Sequence, residues 1–215
     1  MTSLPTAILI SGRGTNMRVI AERAAAGSLP IEIRVVVSDR AAAEGLQAAA
    51  AMNIPTRVLA PRDLADRAAY DHALTRLLSE YEPQLVVLAG FMRILTPHFI
   101  GAFAGRILNV HPALLPNYRG LHTHRRVLEA GERTHGCTVH YVVEELDAGP
   151  VIIQGRLAVR PGEDETALSA RVQRLEHIIY PRAVGWIAGG RLAWRAGTPF
   201  MDNEPLTPAF VEEEE

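Results

Sequence analysis

The 215-residue chain contains no lysine, so all 22 of its Lys and Arg residues are arginine. A P-loop lysine, a Schiff base to a carbonyl substrate and a lysine-linked pyridoxal phosphate are thereby excluded. Cysteine is almost as scarce. The single Cys137 cannot form an intramolecular disulfide and fits a reducing compartment. Its strand-like setting, Gly136-Cys137-Thr138-Val139-His140, reads as that of a buried bystander rather than a nucleophile. No apolar run approaches membrane-spanning length, and Met1-Thr2-Ser3-Leu4-Pro5 lacks the charged and apolar regions of a signal peptide. A soluble, cytoplasmic protein is expected. Nor is there an excess of basic charge: the net charge of -2 argues against a nucleic-acid partner, although a local Arg patch can still bind anions.

What the chain does have is a hydrophobic content of 48%, enough for a sizeable core. One domain over residues 1–195 is expected, followed by a tail over 196–215 whose acidic end, Glu212 to Glu215, reads as disordered. The first half alternates strand and helix. Strands are expected at Ala7–Ile10, Ile31–Val37, around Thr56–Leu59 and at Leu85–Ala89. Helices are expected from Met17 to about Ala26, in the Ala-rich stretch to Met52, and from about Leu64 to Tyr81. After a Pro- and Gly-rich loop, strands near Thr138–Val143 and Val151–Val159 precede a helix with Leu168, Val172, Leu175 and Ile179 at helical spacing, which Pro181 is expected to kink or interrupt. The pattern predicts an α/β fold: a Rossmann-like, doubly wound, mainly parallel sheet with helices on both faces and right-handed crossovers.

The run Arg106-Ile107-Leu108-Asn109-Val110 reads as a buried parallel strand, which sets His111 at its carboxyl end, where open α/β sheets build their sites. Asp147 follows in Leu146-Asp147-Ala148-Gly149-Pro150. Acyl transfer to an amine needs these three groups. The Asn109 amide can donate to an oxygen gaining negative charge as a carbonyl carbon becomes tetrahedral. His111 adds a second, titratable donor, and a carboxylate beside it would favour the imidazolium and orient the ring. Taken singly, His before Pro is a loop residue and Asp before Gly-Pro a turn former. Upstream, Ser11-Gly12-Arg13-Gly14-Thr15-Asn16 lies between a strand and a helix, so its N–H groups can converge on a phosphate. The dinucleotide fingerprint needs a third small residue where Met17 stands, which disfavours NAD.

Four stretches together, Gly90-Phe91-Met92-Arg93-Ile94-Leu95, Asn109-Val110-His111-Pro112-Ala113-Leu114-Leu115-Pro116, Gly120-Leu121-His122-Thr123-His124 and Glu145-Leu146-Asp147-Ala148-Gly149-Pro150, closely resemble the phosphoribosylglycinamide formyltransferases. The likeness runs from about Leu4 to Arg195. It implies the formyltransferase fold and transfer of a formyl group from 10-formyltetrahydrofolate to the amine of 5'-phosphoribosylglycinamide in purine biosynthesis. By resemblance Asn109, His111 and Asp147 are the catalytic set, and Gly14, Thr15 and Asn16 hold the substrate's phosphate and ribose. Glu176 lies near its ribose and amine end. Met92, Arg93, Ile94 and Leu95, with Asn109, line the folate site, opposed by Val143 to Asp147, while Arg67 lies near the folate's glutamate tail.

Departures from that pattern fall in Pro116-Asn117-Tyr118-Arg119-Gly120, where the family often has Lys at the position of Asn117 and another residue at Arg119. His122 and His124, one residue apart with no second ligand cluster, make a poor zinc site and read as part of a mobile lid; no metal is expected. Phosphoribosylglycinamide and folate are the expected partners, with the chain a monomer or homodimer. Methionyl-tRNA formyltransferases and formyltetrahydrofolate deformylases share the Asn, His and Asp chemistry but carry added domains for which this chain has no room. A formyltetrahydrofolate hydrolase and a folate- or nucleotide-binding module without turnover are the alternatives.

Overall fold

Period-two alternation in the strands sorts their side chains onto two apolar faces. The computed structural model describes residues 3–212. In β1 (Leu4–Ile10), Ala7 and Leu9 join a cluster with Tyr70, Leu74 and Phe99, while Ile8 and Ile10 join another with Met17, Ile20 and Tyr180. Apolar on both faces, β1 belongs in the middle of a covered sheet. Each of the buried Leu, Ile, Met and Phe side chains contributes on the order of 1.5–3 kcal/mol.

The remaining elements are α1 (Thr15–Ala25), β2 (Ile31–Ser38), α2 (Glu44–Ala51), β3 (Thr56–Val58), α3 (Arg67–Ser79), β4 (Leu85–Leu88), α4 (Pro97–Ala102), β5 (Ile107–His111), α5 (Thr123–Glu129), β6 (Thr134–Tyr141), β7 (Val151–Ala158), α6 (Glu165–Ala188), β8 (Leu192–Arg195), β9 (Thr198–Met201), β10 (Glu204–Pro205) and β11 (Ala209–Glu212). One sheet has eight strands in the order β11-β7-β6-β5-β4-β1-β2-β3, and a second has three, β10-β9-β8. In the large sheet only β6, among the described strands, runs against its neighbours. The mainly parallel α/β architecture is therefore as expected. No helix among the described residues is long and apolar enough to cross a membrane.

The chain leaves β1 toward β2 on one side and later returns through β4 on the other. This reversal opens a crevice at the carboxyl ends of β1 and β4, where ligands bind in doubly wound sheets. The loops Ser11–Gly14 and Gly90–Leu95 line that crevice and are tied together: Ser11 N donates to Gly90 O at 3.1 Å, and Met92 N donates to Ser11 Oγ at 2.9 Å.

Three expectations need correction. Pro181 does not end α6, which runs through it, because Arg23 Nη2 donates at 3.3 Å to His177 O, a carbonyl that a proline at position 181 cannot serve. Two short helices that were not expected flank β5: α4 lies before it, and α5 lies in the Pro- and Gly-rich stretch after it. Residues 196–212 are not a bare tail, and position 195 falls inside the β8–β9 hairpin. The reason is apolar packing: Trp194 meets Tyr141 in a tilted ring contact with centroids 4.8 Å apart, Met201 and Leu206 pack on the main core, and β11 adds to β7 in parallel. Glu212 closes β11, and the rest of the expected disordered end, residues 213–215, lies outside the described residues.

Candidate active site

Asn109 and His111 lie two residues apart on β5 and so face the same side of the sheet, with Asn109 opposite His140 on β6. Asp147 enters from the loop after β6. Gly149 allows this approach, since a Cβ there would stand 1.7 Å from Tyr141 O. Asp147 itself sits at φ 49, an uncommon left-handed conformation for a residue with a side chain.

The three side chains meet at a cavity of about 390 Å³. His111 is 5% exposed, its Nδ1 is 3.4 Å from Asp147 Oδ2 and its Nε2 is 2.9 Å from Tyr118 O. A main-chain carbonyl only accepts, so Nε2 carries a proton, while Nδ1 faces the Asp147 carboxylate. Asp147 Oδ2 further accepts from Gly120 N at 2.9 Å. His140 is the residue that sequence reasoning missed. Its Nδ1 donates to Tyr141 O at 2.9 Å, leaving Nε2 to accept from Asn109 Nδ2 at 3.2 Å. Burial lowers the His140 pKa and keeps the ring neutral, as that acceptor role requires. The Asn109 amide is thus oriented with one N–H engaged and one free to point at a ligand. A signal was present: in β6, Cys137, Val139 and Tyr141 join the core while Thr138 and His140, between them, face the other way.

The cavity wall opposite is Met92, Arg93, Ile94 and Leu95, which line the same cavity as Asn109. Met92 and Ile94 are 64% and 53% exposed, so they are apolar surface turned to the crevice rather than core; Leu95 is buried. Leu146 and Leu121 stand exposed on the facing loops. His122 and His124 line the cavity too, but His124 turns its Nδ1 to His135 Nε2 at 3.0 Å. Burial lowers both pKa values, that of His135 to about 4. Arg67, the first residue of α3, is not among the residues lining the cavity.

Gly14, Thr15, Asn16 and Glu176 form a second group, on the β1 side of the crevice. Gly14 caps α1 at φ 68, and a Cβ there would stand 3.0 Å from the Cα of Gly45 on α2, so both conformation and space call for glycine. The first-turn N–H groups of α1 have no preceding helical carbonyl and present a partial positive charge. From α6, Gln173 Nε2 donates to Thr15 Oγ1 at 3.2 Å, and Glu176 Oε2 accepts from Asn16 Nδ2 at 2.8 Å. Burial pushes the Glu176 carboxyl up to about 7, against the Asn16 hydrogen bond that lowers it. Arg13 is exposed.

A glycine-capped helix N-terminus beside an apolar cavity floored by an amide, an imidazole and a carboxylate defines an α/β enzyme of the transferase class. The chain belongs to the formyl transferase family, whose model matches residues 5–184. It is 45% identical over 201 residues to a phosphoribosylglycinamide formyltransferase of Escherichia coli, covering 94% of this chain and 95% of that one. To the human trifunctional purine biosynthetic protein adenosine-3 it is 40% identical over 184 residues, covering 86% of this chain and 18% of that protein. Among solved structures, a phosphoribosylglycinamide formyltransferase of Coxiella burnetii superposes with a TM-score of 0.92 at 45% identity, covering 97% of this chain and all 100% of the other.

Proposed function

We propose that this chain transfers the formyl group of 10-formyltetrahydrofolate to the amine of 5'-phosphoribosylglycinamide, as a cytoplasmic enzyme of purine biosynthesis. The observation that carries the reading is the meeting of Asn109, His111 and Asp147 on the floor of one cavity, whose apolar wall is hydrogen-bonded to the loop leading into α1. In this reading the substrate's phosphate lies on the first-turn N–H groups of α1, and the Asn16–Glu176 pair meets its ribose. The folate ring fills the cavity between Met92–Leu95 and the loop from Val143 to Asp147.

The neutral glycinamide nitrogen attacks the formyl carbon and a new C–N bond forms. The free N–H of Asn109 and the protonated His111 ring stabilise the oxyanion. Tyr118 O holds the His111 Nε2 proton until substrate takes its place. Asp147, directly or through water, takes the proton lost by the attacking nitrogen. The bond to the folate nitrogen then breaks as His111 donates a proton to it, and tetrahydrofolate leaves.

Removing one oxyanion donor typically costs roughly 100- to 1,000-fold in turnover. Asn109→Ala is therefore expected to fold normally and lose about that much in kcat, measured by formyl transfer to phosphoribosylglycinamide. Turnover within a few-fold of the unaltered protein would remove Asn109 from the mechanism.

A further inference from the structure

The cavity wall is held from behind by side chains that do not line the cavity. Residues 92–96 have three anchors. Met92 N donates to Ser11 Oγ, Arg93 lays its guanidinium 4.1 Å from the ring centroid of Tyr70, and Thr96 N donates to Asp71 Oδ2. Tyr70 and Asp71 are adjacent on α3, so one turn of that helix grips both ends of the wall segment. Tyr70 is 0% exposed and packs among Leu74, Leu95 and Phe99, so its ring is a fixed surface. Its hydroxyl has no protein partner among the described residues. The useful part of this tyrosine is the ring face. Burial, with the charges of Asp39 and Asp71 added, pushes the Tyr70 hydroxyl far up, and the same negative charges favour a cation over the ring.

We infer that Tyr70 is a positioning residue for the formyl donor: through the Arg93 guanidinium on its ring it fixes the main chain of residues 92–95 in the shape the flat folate ring packs against. The inference rests on the folate reading given above. A desolvated cation–ring contact of this kind corresponds to roughly a 5- to 20-fold change in affinity. Donor binding alone depends on it, because the α1 cradle and the Asn109, His111 and Asp147 group have their own anchors.

The test compares Tyr70→Met, which keeps buried apolar volume but loses the ring face, with Tyr70→Phe, which keeps the face. Thermal unfolding establishes that each is folded, tetrahydrofolate binding is titrated directly, and KM is measured for both substrates. Tyr70→Met is expected to weaken tetrahydrofolate binding and raise KM for the formyl donor about 5- to 20-fold. KM for the glycinamide and kcat stay within about twofold, and Tyr70→Phe restores donor binding. Should Tyr70→Met not fold, Tyr70→Leu removes the ring face while keeping a buried apolar side chain and carries the same expectation. Unchanged donor affinity in the folded variant overturns the inference, as does equal impairment in Tyr70→Phe or a parallel loss for both substrates. Failure of the underlying reading is a separate result, in which the unaltered protein itself binds no tetrahydrofolate.

Discussion

Glu176 and His135 are two buried titratable side chains whose shifts have opposite consequences. Burial raises the Glu176 carboxyl to about 7, above its ordinary 4.5. A raised folded-state pKa means that stability is fully present below the unfolded value and is lost as pH rises through the folded one. Glu176→Gln is thus expected to unfold at a higher temperature than the unaltered protein at pH 8, to show no such gain at pH 4, and to raise KM for the glycinamide. No difference at pH 8 would mean the carboxylate is well solvated. His135 is the reverse, with its pKa lowered by burial, then by His124 and His111, from 6.5 to about 4. Its contribution is present above pH 6.5 and is lost as pH falls toward 4, an effect of about 3 kcal/mol. His135→Gln should flatten the acid limb of a melting-temperature profile, and an unchanged limb would acquit His135. Sequence could offer Asn109, His111 and Asp147 as candidates because the strand that ends at His111 is a local pattern and the stretches around all three resemble one family; the structure adds that they meet at one cavity. Sequence could not deliver His140, whose part depends on lying opposite Asn109 in the antiparallel β5–β6 register, a pairing set by the whole sheet.

Two loops close over the cavity, and the sequence departure at Arg119 joins them. Arg119 Nη1 donates to Glu145 Oε1, and Arg126 Nη1 donates to Arg119 O at 2.7 Å, bracing the segment that brings Tyr118 O and Gly120 N onto His111 and Asp147. Both charged ends are substantially exposed, so the pair is screened. A double-mutant cycle of Arg119→Ala and Glu145→Ala, read through KM for the formyl donor, should give a coupling of about 0.2–1 kcal/mol that fades at high salt. A coupling of zero at low salt would make the two loops independent. The long helices α3 and α6 were legible because several turns of periodic apolar residues mark them. The short helices α4 and α5, of six and seven residues, span too few turns for periodicity to show. The one local sign at α4 was Thr96-Pro97, a cap position followed by proline at the first helical residue.

At the scale of the molecule, strand–helix alternation foretold the mainly parallel sheet, whereas the last strands escaped notice because each is short and polar at one end. Their turns were nonetheless written in Ala196-Gly197 and Asp202-Asn203, both pairs at positive φ as tight two-residue hairpins require. If the packing of these strands on the core matters, a chain ended after Arg195 should lose on the order of 2 kcal/mol in denaturant unfolding. An unchanged midpoint would make residues 196–215 the dispensable tail that composition alone suggests. What the assembled site does with a formyl group is measured most directly by following folate release from 10-formyltetrahydrofolate by absorbance, with and without phosphoribosylglycinamide, beside His111→Ala. Release that requires the glycinamide and vanishes in the variant is the expected result. Release at the same rate without any acceptor would contradict it and make the protein a hydrolase, and folate binding without release would leave a binding module.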